Sequence, residues 1–203
     1  MKKYISLIFL LIFFQQLHAQ DEEEEKKKGF KKENLFTGGS ISLSFFNNAF
    51  LVGVNPVLGY SLTKWADAGI VTNFNYTSYR DYQVFDDRLR QIIYGGGIFT
   101  RLYPVRFIFV QAQAEHNFIT LKYRPPNGIS SSVKTSGNSL LVGGGYTTGR
   151  YPGSGNSFFY VAILFDVSGN DSSPYTDAYG RIIPIIRAGI QIPLFSGGGN
   201  PGY

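Results

Sequence analysis

Beyond residue 19 the chain holds one histidine, His116, in the run Glu115-His116-Asn117-Phe118. An imidazole beside a carboxylate and an amide is the raw material of acyl transfer, in which a serine is activated by a histidine that a third group orients. At strand periodicity, however, Glu115 and Asn117 point away from His116, and position 118 is Phe rather than Ser. No triad assembles locally, so no catalytic residue is assigned and the chain is read as a non-enzyme, with lipid A hydrolysis kept as an alternative. Metal chemistry fares no better. One histidine and no cysteine leave no zinc set, and Asp86-Asp87 and Asp171 to Asp177 read as solvated loop acids. The triplets Gly95 to Gly97 and Gly143 to Gly145 lack the strand-to-helix setting of a phosphate cradle and read as kinks in a narrow sheet. Neither metal nor cofactor is expected.

The elements carrying these residues have a period of two from Leu35 onward. Segment one sets Leu35, Ile41, Leu43 and Phe45 against Gly38, Ser40, Ser42 and Ser44; segment two sets Val52, Val54, Leu58, Tyr60 and Leu62 against Gly53, Asn55, Gly59 and Ser61. Ala68, Ile70, Phe74 and Tyr76 oppose Asp67, Asn73 and Asn75 in the third, and Ile92, Tyr94, Ile98 and Leu102 oppose Gln91 and Arg101 in the fourth. The second half repeats the pattern around Gln111, Gln113 and Glu115, around Ser139 and Gly143, around Tyr160 and Asp166, and around Arg187 and Gln191. Eight segments of roughly 9 to 13 residues match tilted strands that cross a bilayer.

Parity decides the solvent. The middle of each apolar face carries no Asp, Glu, Lys or Arg, while the opposite faces hold Asp67, Arg101, Glu115, Asp166 and Arg187. A soluble barrel would show the reverse, because water would then bathe its outside. A Lys or Arg at mid-depth on a lipid face costs about 2–4 kcal/mol, which gives the absence meaning. The five charges are expected to line the lumen as a hydrogen-bonded polar network, since an unpaired ion in a narrow core is costly. Short links near Thr63–Ala66 and Tyr103–Arg106 alternate with long polar ones at Asp81–Arg90, Arg124–Lys134 and Gly169–Tyr179, as inner turns and outer loops should. Tyr60, Trp65, Tyr103, Tyr146 and Tyr151 are expected to mark an inner aromatic girdle, and Phe45, Tyr76, Tyr79, Tyr94, Phe118 and Tyr123 an outer one. Pro56, in the middle of the second segment, calls for a bulge, because a closed barrel has no edge on which a missing donor is harmless.

The N-terminus reads as a secretory leader. Lys2 and Lys3 precede an apolar run from Tyr4 to Phe14, and Leu17-His18-Ala19 suits cleavage before Gln20. Residues 1–19 are therefore expected to be a signal peptide, 20–34 a charged disordered tail, 35–195 the barrel and 196–203 a C-terminal tail. The formal charge of +5 falls to +3 without Lys2 and Lys3 (17 basic against 14 acidic residues), too mild to suggest nucleic acid. With 24 Gly, 14 Tyr, 18 Phe and no Cys, the composition suits one all-β domain and excludes a disulfide-stapled module. The expected fold is thus all-β: a closed antiparallel up-and-down transmembrane β-barrel of about eight strands in the cell outer membrane.

The sequences Ala19-Gln20, Leu35-Phe36-Thr37-Gly38-Gly39-Ser40, Val57-Leu58-Gly59-Tyr60-Ser61-Leu62-Thr63-Lys64-Trp65 and Arg187-Ala188-Gly189-Ile190 resemble small outer-membrane β-barrel domain proteins of diderm bacteria. The resemblance runs from Leu35 to Phe195. It implies insertion by the barrel-assembly machinery, guided by a last strand ending in an aromatic, here Phe195. Eight strands enclose a space that side chains largely fill, so a wide pore is not expected. The expected role is structural or surface-interacting. Outer-membrane lipids and lipopolysaccharide surround the wall, and long outer loops, with Tyr82 and Tyr175, contact outside partners whose identity the sequence does not give. A narrow channel or carrier for a small solute is the other alternative.

Overall fold

A computed structural model describes residues 29–46, 49–151, 155–170, 172–176 and 181–195. The leader, residues 20–28 of the charged tail and the C-terminal tail lie outside the described residues. The chain divides after Lys31, and the architecture below belongs to the part from Lys32 onward. A short 3-10 turn at Lys32–Asn34, within the span read as disordered tail, leads into the first strand.

Alternation of apolar and small or polar residues produces strands β1 (Leu35–Phe46), β2 (Ala49–Ser61), β3 (Ala66–Arg80), β4 (Arg88–Val105), β5 (Ile108–Arg124), β6 (Ser131–Thr147), β7 (Phe158–Asp166) and β8 (Ile185–Pro193). Each pairs antiparallel with its neighbours in sequence, and β1 pairs with β8 from Phe36↔Pro193 to Leu43↔Ile186, which closes the barrel. In hydrocarbon an unpaired backbone N–H or C=O costs several kcal/mol, and closure is the way a sheet removes its edges.

The wall is inverted relative to a water-soluble barrel. Ile41, Val54, Leu58, Ile70, Phe74, Ile98, Val110, Leu140, Val161 and Ile163 are exposed on the outside, whereas Asp67, Arg101, Glu115, Asp166 and Arg187 are buried inside. This polarity is stable only if the exterior faces lipid, so the protein is an integral outer-membrane barrel.

At Pro56 the structure departs from expectation. Gly39↔Pro56 is an ordinary pair in a continuous β1–β2 register, and no bulge occurs there. On the β3 side the same alignment holds across Val54↔Phe74 and Val57↔Val71, and only the two pairs between them are missing. The lost donor is thus absorbed by a local gap in one ladder. The register shift instead falls between Leu102 and Val105, around Pro104, beside the inner turn between β4 and β5.

The strands are unequal. β7 and β8 have 9 residues each, close to the bilayer minimum, whereas β4 has 18 and β5 and β6 have 17. The surplus lies at the loop end. β6 pairs with β7 only from Leu141↔Asp166 to Thr147↔Tyr160; Asn138, Ser139 and Leu140 bond to the segment that follows β7, and from Ser131 to Gly137 the β6 ladder runs to β5 alone. A sheet made from the outer ends of β3 to β6 therefore rises beyond the closed part of the wall.

Two glycine triplets set the curvature. A Cβ at Gly97 would fall 1.9 Å from the Ala114 carbonyl oxygen, and one at Gly143 would fall 2.0 Å from that of Ile163. Backbone meets backbone there, with no flexible side chain to give way. Gly97→Val is expected to cost at least about 3 kcal/mol by overpacking and to abolish the compact, heat-modifiable band on a gel; a retained band shift would show that the wall can open at this point.

Candidate functional site

The interior polar residues come from inward positions of successive strands and form one connected chain. At its inner end Arg150 reaches from the β6–β7 turn into the lumen. Its Nη2 pairs with Asp67 Oδ1 at 2.5 Å and donates to the Thr63 carbonyl at 2.9 Å, its Nη1 donates to the Lys64 carbonyl, and its Nε donates to Asp67 Oδ2 at 3.1 Å. Gln191 Nε2 donates to the same Asp67 oxygen at 3.2 Å, and Gln191 Oε1 accepts from Arg101 Nη1 at 3.3 Å. Arg101 Nε donates to Gln111 Oε1 at 2.8 Å, Gln111 Nε2 to Gln113 Oε1 at 2.8 Å, and Gln113 Nε2 to Glu115.

Glu115 is the outer hub. Oε1 accepts from Arg187 Nη2 at 3.3 Å, and Oε2 accepts from Asn117 Nδ2 at 3.0 Å and from the Tyr175 hydroxyl at 2.8 Å. Asn75 Nδ2 in turn donates to the Tyr175 oxygen at 3.3 Å. Asp166 is held differently, by the N–H of Leu140 and Ser168 and the hydroxyl of Ser173, and among the described residues no cation pairs with it. Asp67, Glu115 and Asp166 in the lumen are matched in number by Arg101, Arg150 and Arg187, and a fourth buried acid, Asp87, lies apart from them at the β3–β4 loop. Arg101 has no carboxylate on it; its guanidinium lies 4.2 Å from the Tyr160 ring centroid, with Phe99 and Phe109 on other sides.

Apolar clusters pack along this chain in both halves of the barrel. Leu51, Leu141, Leu164, Tyr175 and Ile185 pack together at the outer mouth. Tyr103, Phe109, Phe158, Tyr160 and Ala162, with a second group of Phe36, Val57, Val71 and Phe99, fill the inner half. The β7–β8 connection supplies the outer closure. Tyr175, expected to reach outside partners, is fully buried, its N–H bonded to Ser173 Oγ at 3.2 Å and its carbonyl accepting from Ile183 N–H at 2.9 Å. Tyr82 is half-buried, with its ring 5.9 Å from that of Tyr79.

Three residues assigned to the girdles, Tyr79, Tyr103 and Tyr123, belong inside, and Tyr79 is buried in a cluster with Ala49 and Leu89. Tyr103 is only 4% exposed and lies beneath the Arg150 guanidinium, 4.5 Å from its ring centroid. The reason is register, because Tyr103 shares the inward parity of Arg101. Tyr123 shares the inward parity of Glu115; it packs against Ala49, Tyr79 and Leu89 and donates to Asp87 Oδ2 at 2.9 Å. Trp65, Tyr76, Tyr94, Phe118 and Tyr146 are exposed on the outside and Tyr60 half-buried, with Tyr94 and Phe118 stacked at 5.4 Å.

Sequence reasoning misses Arg150 and gives Tyr175 an outward role in place of its inward one. Both sit in connections, where no period marks an inward side chain, and Arg150 had only its place beside Gly149 in the β6–β7 turn to single it out. His116 lies on the outer face with Nδ1 2.7 Å from Asn138 Oδ1 and its ring edge-on to Phe118, while Glu115 faces the lumen. The β3–β4 loop is rigidly built. Asp87 accepts from the N–H groups of Tyr82, Gln83 and Val84 at 2.5, 2.9 and 3.1 Å, and this lifts Val84 and Phe85 into solvent, the latter 88% exposed. Burial works to raise the Asp87 pKa, but those N–H groups and the Tyr123 hydroxyl outweigh it and hold the carboxyl below its ordinary value.

No family model and no curated protein matches the chain. Among solved structures it is similar to the attachment invasion locus protein Ail of Yersinia pestis, at 12% identity and TM-score 0.47, over 78% of this chain and 95% of that one. It is also similar to Neisserial surface protein A, at 12% identity and TM-score 0.40, over 79% of this chain and 96% of that one. A third similarity is to the N-terminal β-barrel domain of Pseudomonas aeruginosa OprF, at 14% identity and TM-score 0.39, over 78% of this chain and 96% of that one. These likenesses are at the level of the fold.

Arg150→Ala leaves Asp67 buried without a cation and is expected to lower stability by about 3–5 kcal/mol, whereas replacing both residues with apolar ones costs less. Thermal unfolding of the two single variants and the double variant in detergent measures the coupling; additive losses would show that the two act separately. For Asp87 the depressed pKa means that its ionised form stabilises the loop above the ordinary carboxylate value of 3.8, and that this support fades as the pH falls below it. Hydrogen exchange at the Tyr82 to Val84 amides should therefore accelerate below about pH 4, and an Asp87→Asn variant should exchange rapidly at neutral pH.

Proposed function

We propose that the protein is a surface-interaction barrel whose work is done by the sheet and loops that rise beyond the membrane, and that its lumen is a structural core rather than a conduit. The observation that carries this reading is a lumen filled with buried side chains. Apolar clusters pack along the polar chain in the inner and outer halves of the barrel, and Tyr175 is bonded down onto Glu115 at the outer mouth. A solute path would have to break the pairs Asp67–Arg150 and Glu115–Arg187 and expose buried ions without partners.

The protruding sheet favours interaction. Over Ser131 to Ser136 the side chains of β6 are exposed, and among the described residues no backbone group there bonds on the side away from β5. Alternate N–H and C=O groups on that side present a ladder to which an extended segment of another protein can add as a strand. Nearby, Phe85 and Ile129 stand exposed at the tips of the β3–β4 and β5–β6 loops. The same reading includes assembly by the barrel-insertion machinery and lateral contact with lipopolysaccharide. A lipid A hydrolase is less well supported, because the His116 nitrogen is taken up by an amide and Glu115 lies across the wall from it.

In planar bilayers the purified protein is expected to give no discrete conductance steps, and solute uptake by liposomes containing it should match that of empty liposomes. Reproducible unitary steps at neutral pH would sink the reading and return the narrow channel to first place.

A further inference from the structure

On three consecutive strands the outward face carries an aromatic residue and then, four residues nearer the loops, a cation: Tyr76 and Arg80 on β3, Tyr94 and Arg90 on β4, Phe118 and Lys122 on β5. Arg88, Arg124 and Lys134 extend the group. All six basic residues are exposed, and among the described residues none has a side-chain hydrogen bond or ion pair.

Their register makes the arrangement costly in isolation. Arg80 lies directly opposite Arg88, Arg88 opposite Arg124, and Arg90 opposite Lys122. Like charges facing each other across strands are destabilising, and neighbouring acids do not relieve them. Asp87 is occupied by backbone N–H groups and Tyr123, and Asp81 Oδ1 accepts from the Asp86 N–H at 2.7 Å. Among the described residues none of these cations forms an ion pair, so the row is suited to an external polyanion.

Position selects which polyanion. Aromatic rings such as Tyr94 and Phe118 settle at the edge of the hydrocarbon, and four residues of a tilted strand climb roughly 10 Å above it, the level of head-group phosphates. On the neighbouring strands β1 and β2 the outer rim is apolar at the corresponding place, where the Phe45 and Phe50 rings lie tilted with centroids 5.0 Å apart. We infer that the outward face of β3 to β6, with Arg80, Arg88, Arg90, Lys122, Arg124 and Lys134, is a binding site for the phosphates of an anionic glycolipid in the outer leaflet, held on one flank of the barrel. This deepens the lateral lipid contact proposed above and depends on the outer-membrane placement, but not on any protein partner.

The test uses the full folded chain in detergent micelles doped with diphosphoryl lipid A, with native mass spectrometry counting retained lipid A across a titration. Arg90→Gln/Lys122→Gln/Arg124→Gln is expected to raise the half-saturating lipid A by about a hundredfold, at about a fivefold loss per cation. Arg106→Gln at the inner rim should leave it unchanged, and removing one phosphate from the lipid should weaken binding to the native chain. Unchanged retention by the triple variant would overturn the inference. So would binding of soluble dextran sulfate at the same residues without lipid A retention, which would assign the strip to a soluble polysaccharide. Gel heat-modifiability of each variant separates loss of the barrel from loss of the site. Should the triple variant not fold, Lys134→Gln alone, together with the salt dependence of native binding, decides the matter; salt-independent retention would count against it.

Discussion

Everything in this molecule depends on backbone hydrogen bonding in a solvent that offers none. The β1–β8 seam, from Phe36↔Pro193 to Leu43↔Ile186, converts an open sheet into one without an edge inside the bilayer. Closure at eight strands then fixes the radius, and the radius fixes the rest. Inward side chains are so close that glycine is required wherever one strand's carbonyl crowds the next, as at Gly97 and Gly143. Inward charges are equally constrained, because each must find its counter-charge or donors within the same narrow column.

The lumen answers that constraint in two ways. Asp67 and Glu115 are paired with Arg150 and Arg187, whereas Asp166 is satisfied by backbone N–H groups and Ser173, and Arg101 by two glutamines and three aromatic rings. Desolvating an ion is tolerated when donors or acceptors already stand in place, whether or not they are charged. The glutamines Gln111, Gln113 and Gln191 matter here because an amide both donates and accepts, which lets one residue link a cation to an anion over a distance that no ion pair spans.

Much of this was legible in the chain because β-structure writes itself at a period of two. The inward and outward faces of all eight strands, including the placement of Asp67, Arg101, Glu115, Asp166 and Arg187, follow from alternation alone. Legibility stopped where alternation stops. Tyr103 and Tyr123 were placed on the girdles by residue type near a rim, although their parity with Arg101 and Glu115 puts them inside. Arg150 and Tyr175 lie in connections, where side-chain direction depends on tertiary contacts no local pattern records. Pro56 misled for a related reason: the composition showed a missing donor, but only the neighbouring ladder shows that a gap of two pairs suffices. The apposition of Arg88 with Arg124 likewise exists only once two distant segments are in register.

The inward return of the β7–β8 connection makes the exposed segments unequal in evolutionary freedom. Ser173, Tyr175 and Ile183 are built into the barrel's interior bonding, so that segment cannot be exchanged or lengthened without disturbing Glu115 and Asp166 beneath it. The tips around Phe85 and Ile129 carry no such obligation. Immune evasion by drift, or grafting of foreign epitopes for display, would find room on those two hairpins and meet resistance on the third.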